Sequence, residues 1–346
     1  MAGSRGYSSY RGRVPRWKIA LAILLALILL AACTFLFLQK YIVYDDSGAV
    51  RLELPWMKPD GSSSLPPVSD EDLQIIISEP EGKDVEELHI LQLPDGSLEG
   101  DWTQAVSALR AGGQNAFAVT MKAAGGQLLY DSRVEAAVSS GAVQGNEQSM
   151  TALEGLLGSE EYYSIARLSC FRDSLYANAN MDGAGLKNTG GYIFYDGNNT
   201  PWLDPGKEGA RAYLYEIARE CAALGFDEIL LTDFSYPTEG KLNKIEYGSV
   251  EQSVNLRAFL QGMADALEEY DVKLSVELSA QTLTVGADQV SGQDLSDAAA
   301  IVDRIYVAAP AEEAAVLRER VAAVSDQVTL VVEGTALETG DYLQLP

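Results

Sequence analysis

Glu277 stands inside an apolar run of β-forming residues, KLSVELS at 273–279, close to that run's carboxyl end. A second apolar run, DEILLTDF at 227–234, closes on Thr232 and Asp233. Carboxyl groups brought together at strand ends have a specific chemistry open to them. Cleavage of a glycosidic bond usually needs two facing carboxyls, about 5–5.5 Å apart for retention and about 6.5–9.5 Å for inversion. One protonates the leaving oxygen and the other attacks or activates water. Glu277 fits the first role, with Asp233, Asp173 or Asp204 as its partner. Each also has a plainer reading: Glu277 as a solvated rim acid, Asp233 as a turn cap, Asp173 as the N-cap of a short helix beginning at Ser174. Asp204, before Pro205, suits a turn or a helix start equally well. Arg167 lies within YSIARLSCF, where a charge must be paired to be tolerated. It would either clamp a sugar hydroxyl or a catalytic carboxylate, or form an ion pair inside the fold. Trp202, Tyr236, Tyr130 and Tyr192 offer flat faces that either stack on sugars or pack.

The elements that must position these residues alternate from residue 86 onward. Strands are expected at 88–93, 115–122, 163–171, 227–234, 273–279, 303–308 and 327–333. Between them, amphipathic stripes predict helices, the clearest at 209–224 and 256–267. In the first, Ala210, Tyr213, Leu214, Ile217, Ala218 and Cys221 share one face, and Gly225 suits the helix end. Residues 341–346 could add a stunted eighth strand with no helix before it. Apolar strands alternating with helices mean a parallel sheet covered by helices. Seven or eight units over this length predict an α/β fold of the TIM type, a (β/α)8 barrel irregular at its C-terminal end, whose carboxyl face carries the chemistry.

The acidic balance narrows the ligands. Fifty acids against 25 bases give a net charge of −25, and the first eighteen residues oppose it with Arg5, Arg11, Arg13, Arg16, Lys18 and no acid. Without those five bases the remainder holds 20 against 50, or −30. Such a body repels nucleic acid and anionic membrane surfaces. A single histidine, His89, and the lack of any CxxC argue against zinc sites built on several His or Cys, so no metal is expected. His89 sits in the apolar LHILQLP and reads as a packed strand residue. With neither GxGxxG after the first strand nor GxxxxGK[ST], no nucleotide cofactor is expected.

Residues 19–38, IALAILLALILLAACTFLFL, are uncharged and long enough to span a bilayer as a helix. The basic segment at 1–18 predicts a cytoplasmic N-terminus and an extracellular body. LAAC at 30–33 also fits a lipobox, which would make Cys33 a lipid anchor, although the apolar run continues beyond it. Residues 40–56 read as a β-hairpin around Asp45-Asp46-Ser47-Gly48, and 57–85, rich in Pro, Ser and Gly, as a linker to the barrel at 86–346. Cys170 and Cys221 read as buried thiols.

Residues 88–306 resemble a bacterial family of glycoside hydrolase-like proteins, a domain of unknown function with a TIM-barrel glycosyl hydrolase fold. The resemblance rests on Ile165-Ala166-Arg167 leading to Phe171-Arg172-Asp173, on Trp202-Leu203-Asp204-Pro205, and on Gly225-Phe226-Asp227-Glu228-Ile229, in that order and spacing. It implies a polysaccharide or cell-wall glycan as ligand. The departures matter too. Where the family pattern has an aspartate and an arginine at the end of the fourth strand, this chain has Thr232 and Ser235. Asp233 is offset by one residue, which on a strand points it to the opposite face. On the second strand Thr120 replaces an aspartate two residues before Lys122, and Val307-Ala308-Ala309-Pro310 replaces a Met-x-Tyr-Pro-Ser-His-like stretch. Glu277 retains the acid of the fifth strand. Three functions stay open: a weak or degenerate barrel that binds cell-surface polysaccharide, an active glycoside hydrolase, and an envelope scaffold with no sugar site. The threonines favour the first.

Overall fold

The computed structural model describes residues 42–44, 50–52 and 87–346 apart from Glu160. The expected anchor and linker lie outside the described residues, and among the described residues no helix is long and apolar enough to cross a membrane. Two units are distinguished, Met1–Ile77 and Ser78–Pro346. In the first, strands β1 (Ile42–Tyr44) and β2 (Val50–Leu52) pair antiparallel, as the hairpin pattern requires.

The second unit is a closed barrel of eight parallel strands. These are β3 (His89–Gln92), β4 (Ala116–Lys122), β5 (Tyr163–Ser169), β6 (Glu228–Thr232), β7 (Lys273–Glu277), β8 (Arg304–Ala308), β9 (Thr329–Gly334) and β10 (Tyr342–Gln344). Neighbours follow chain order, and β10 closes the ring between β9 and β3. Two apolar layers hold it. Inside, Ile90, Ala118, Ile165, Leu230, Val331 and Leu343 fill the barrel. Outside, alternate strand residues meet the helices. Helix Glu208–Ala223 buries the stripe Ala210, Tyr213, Leu214, Ile217, Ala218 and Cys221. It ends two residues before Gly225, whose φ of 95° lets the chain turn into β6. Helix Gln252–Leu267 buries Leu256, Phe259, Leu260, Met263 and Leu267 in the same way.

Parallel neighbours usually need a crossover of about a dozen residues or more. Residues 335–341 join β9 to β10 with no helix. The reason is register. Tyr342 pairs with Val332, so the chain retreats only two residues, roughly 7 Å, below the end of β9. Arg318, on helix Ala314–Ala322, donates from Nη2 to the carbonyls of Thr339 (3.2 Å) and Asp341 (3.4 Å). The Asp341 carboxylate in turn accepts from the Leu88 amide at 3.0 Å. Arginine contacts thus do the tethering that a crossover helix does elsewhere in the ring.

The amino end of the barrel is filled by a paired charge. Fully buried Glu228 accepts from Arg304 Nη1 (2.6 Å), Tyr306 Oη (2.8 Å) and Tyr163 Oη (3.1 Å). Each carboxylate oxygen therefore has a donor, which a charge at that depth requires. His89 lies at this end too, half-buried and stacked on Tyr342 with ring centroids 4.8 Å apart.

Candidate active site

Strand alternation decides which side chains crown the barrel. Ile90, Ala118, Ile165, Leu230 and Val331 point inward. Two residues further along the same strands, Gln92, Thr120, Arg167, Thr232 and Glu333 point the same way. They form a polar layer above the apolar filling. Over it opens a cavity of about 490 Å³, lined by Gln92, Thr120, Arg167, Thr232, Asp233 and Glu277 among others.

Arg167 organises that layer. Its Nη2 donates to Glu333 Oε2 at 2.9 Å and to Glu277 Oε2 at 3.4 Å, while Nη1 donates to Gln92 Oε1 at 3.4 Å. The arginine is paired inside the barrel, and one of its partners is the candidate acid. Glu277 keeps 28% of its side chain exposed to the cavity, whereas Glu333 keeps 3%. Burial pushes the Glu277 carboxyl up to about 7, with the Glu333 and Asp233 charges adding and Arg167 opposing. Burial also raises Glu333, against the pull of Arg167. Glu277 therefore carries a proton well above the ordinary carboxylate range.

Asp233 corrects the sequence-based expectation. The one-residue offset was expected to turn it to the far face, but strict alternation holds only while the chain stays extended. Asp233 follows the last residue of β6 and takes a left-handed φ of 47°. That dihedral swings its carboxylate into the cavity, where Oδ2 accepts from Ser169 Oγ at 2.7 Å. Thr232 lines the cavity beside it.

Asp173 goes elsewhere. The β4–β5 register shifts between Thr120 and Lys122, and the Lys122 ammonium is fully buried. It reaches Asp173 Oδ2 at 2.9 Å and donates to the Ser169 carbonyl at 2.7 Å. Asp173, equally buried, accepts from the Tyr176 amide at 2.8 Å and N-caps helix Ser174–Ala179. Its candidacy as a catalytic partner is therefore corrected to a buried ion pair and cap. Asp204 lies on a separate loop, where its carboxylate accepts from the Gly206 amide at 2.9 Å, and burial raises it. Nor do the aromatic candidates line the cavity. Trp202 is buried, donating from Nε1 to Asp196 Oδ2 at 2.9 Å. Tyr236 is buried and accepts from Asn255 Nδ2 at 3.0 Å, and Tyr130 is buried against Glu220. Tyr192 is exposed.

Glu333, Ser169 and Gln293 complete the site without having been singled out in the sequence. Gln293 donates to the Phe234 carbonyl at 2.9 Å and accepts from the Ser279 amide at 3.0 Å, bracing the loops after β6 and β7. Among the described residues no three His, Cys, Asp or Glu are grouped to hold a metal. Cys170 and Cys221 are free and buried, and burial pushes both thiols far above their usual range.

Residues 97–309, more than half of the chain, match the sequence profile of the family described as "Putative glycosyl hydrolase domain". The chain belongs to this family. Arg167, Asp233 and Glu277 fall within the matched glycosyl hydrolase domain, while Gln92 and Glu333 lie on either side of it. The fold has solved counterparts. The glycoside hydrolase domain of PgaB (BpsB) from Bordetella bronchiseptica superposes with a TM-score of 0.53 at 14% identity, over 75% of this chain and 94% of that one. A hypothetical protein from Ruminiclostridium thermocellum is 27% identical over 54% of this chain and 96% of its own, with a TM-score of 0.46. No curated protein matches.

Proposed function

We propose that this barrel hydrolyses a glycosidic bond in a cell-surface polysaccharide, with Glu277 as proton donor and Asp233 as the facing carboxylate. One observation carries the reading: Glu277, open to the cavity, is pushed up to about 7 by burial and by the Glu333 and Asp233 charges. An acid poised near the working pH can hold a proton and release it. As the carbon–oxygen bond breaks, the Glu277 proton passes to the leaving oxygen. Arg167 then stands 3.4 Å from the carboxylate left behind. Asp233, steadied by Ser169, attacks the anomeric carbon or takes a proton from the attacking water. Residues 19–38 would anchor the chain with its N-terminus in the cytoplasm and the barrel outside, a lipidated Cys33 being the alternative. The basic segment and the apolar run support this arrangement.

A second reading, binding without cleavage, is favoured by Thr120 and Thr232, since a hydroxyl cannot replace a carboxylate without an activating base. The test incubates the whole chain in detergent with cell-wall glycans and bacterial exopolysaccharides, scoring reducing ends and retention. Turnover that Glu277→Gln abolishes with the fold intact supports hydrolysis. Binding with no turnover in the unaltered protein supports the second reading, and neither across the panel rejects both. Protease added to intact spheroplasts should digest the barrel while sparing the basic N-terminus.

A further inference from the structure

The loops that leave the carboxyl ends of β5 and β6 build a second cavity of about 660 Å³. Because they leave those ends, they rise from the barrel rim that carries the first cavity. The two loops are stitched together. Asn188 bridges Ile245 antiparallel, and the Thr189 amide donates to the Lys244 carbonyl at 2.8 Å, while Lys187 bridges Ile193 within the first loop. Such pairing gives the cavity a defined wall.

Its lining is chemically unlike the rest of this acidic chain. Lys241 and Lys244 line it, both exposed, and among the described residues neither forms an ion pair. The lining acid, Asp196, has its carboxylate engaged elsewhere. Oδ1 accepts from the amides of Asn198 (2.9 Å) and Thr200 (2.8 Å), and Oδ2 accepts from Trp202 Nε1. Tyr195, 45% exposed, presents an aromatic ring in the same wall, and Tyr192, 72% exposed, stands nearby on the loop. Two ammonium groups that form no ion pair, in a cavity that Tyr195 also lines, match a sugar unit carrying an anionic group. Ammonium groups would meet the anion, and the ring would cover the apolar face of the pyranose.

We propose that this cavity is a distal subsite for an acidic sugar unit of the polysaccharide whose scissile bond lies over Glu277. The proposal rests on the hydrolase reading only in placing a glycan in the first cavity. A negative body does not forbid it, because at physiological salt charges beyond about 8 Å are largely screened. Local lysines therefore decide the contact. Holding a chain at a remote point raises its effective concentration over the reacting centre.

The experiment measures binding to the whole chain in detergent by calorimetry, in a Glu277→Gln background so that ligand is not consumed. The probes are oligogalacturonate and a neutral maltooligosaccharide of equal length. The acidic probe should bind about tenfold more tightly than the neutral one, and the preference should weaken as salt is raised. Lys241→Gln with Lys244→Gln should abolish the preference, and Tyr195→Ala should weaken both probes. These side chains are exposed, so the melting temperature should hold. Equal affinity for the two probes, no binding of the acidic one, or a lysine variant that binds like its parent would overturn the subsite. Turnover of a neutral glycan, unchanged by the lysine substitutions, would overturn it while leaving the hydrolase reading intact.

Discussion

Replacing Glu333 by Gln should lower the pKa of a different residue, Glu277. Both glutamates bond the same Arg167 nitrogen, at 2.9 and 3.4 Å. Their nearest oxygens are therefore no more than about 6.3 Å apart, from those two contacts. At roughly 6 Å and an effective dielectric constant of about 20, two unit charges repel by about 2.8 kcal/mol, or about two pKa units. A glutamine at 333 still accepts from Arg167 through its amide oxygen but carries no charge. It also leaves Glu277 as the arginine's one remaining acidic partner. Both changes favour ionised Glu277. Burial, the largest cause of the raised value, stays in place, so the fall from about 7 should stop between about 5 and 6. A Glu277 that is about half protonated at pH 7 then becomes protonated at only a few per cent, by the same arithmetic. The basic limb of the pH profile of kcat/KM should move acidward by about one to two units. Carbon-13 NMR titration of the Glu277 carboxyl reads the same shift without turnover. A Glu277 that titrates unchanged, or higher, in the Glu333→Gln protein would refute the coupling.

Folded Glu277 holds its proton up to about 7, while the unfolded chain releases it near 4.5. The folded state thus binds more protons in that window, and stability falls as pH rises through it; Glu277→Gln should remove up to about 3 kcal/mol of this penalty above pH 7, read by urea unfolding at pH 4 and 8. Lys122→Met should cost about 3–5 kcal/mol by stranding the buried Asp173, and adding Asp173→Leu should restore much of that, which a denaturation series will show or deny. Asp233→Asn should keep the melting temperature and lose turnover, because asparagine accepts the left-handed φ. Asp233→Val should lose about 1–2 kcal/mol as well, and equal stabilities would count against a strained turn. Arg318→Ala should speed amide hydrogen exchange at Tyr342 and Leu345 before it affects β5 or β6, and uniform exchange would contradict local tethering.

The barrel was legible because its signals repeat. Each strand is an apolar run, each main helix shows a stripe, and the last short strand could be read at 341–346 despite having no helix before it. Glu277 and Arg167 were legible for the same reason, as charges inside apolar runs that must find partners. Glu333 ends QVTLVVE with a comparable signal, but an acid at a strand end is more often solvated, and its depth comes from seven other strands. The direction of Asp233 was not legible, since a single dihedral after the strand decides it. The N-cap role of Asp173 was legible from its place before Ser174, whereas the burial of Lys122 was obscured by the register shift, which breaks the alternation that a sequence reading relies on. Trp202 and Tyr236 could be read either as sugar platforms or as packing residues, and each is buried with a hydrogen-bond partner away from the cavity, a choice made by loop path rather than residue type.

The three residues of β10 give the barrel an order of assembly. β3, the first strand of the ring, finds one of its two neighbours only when Tyr342–Gln344 arrives. Until then β3 and β9 each present a bare row of amide and carbonyl groups, the kind of edge on which a second chain can be templated. A chain cut after Gly340 would keep its polar crown and its helices yet remain an open ribbon, prone to pair with its own copies. Because synthesis runs from the amino end, β10 is the last strand of the barrel to appear, and the interval before it does is when a chaperone would be needed most.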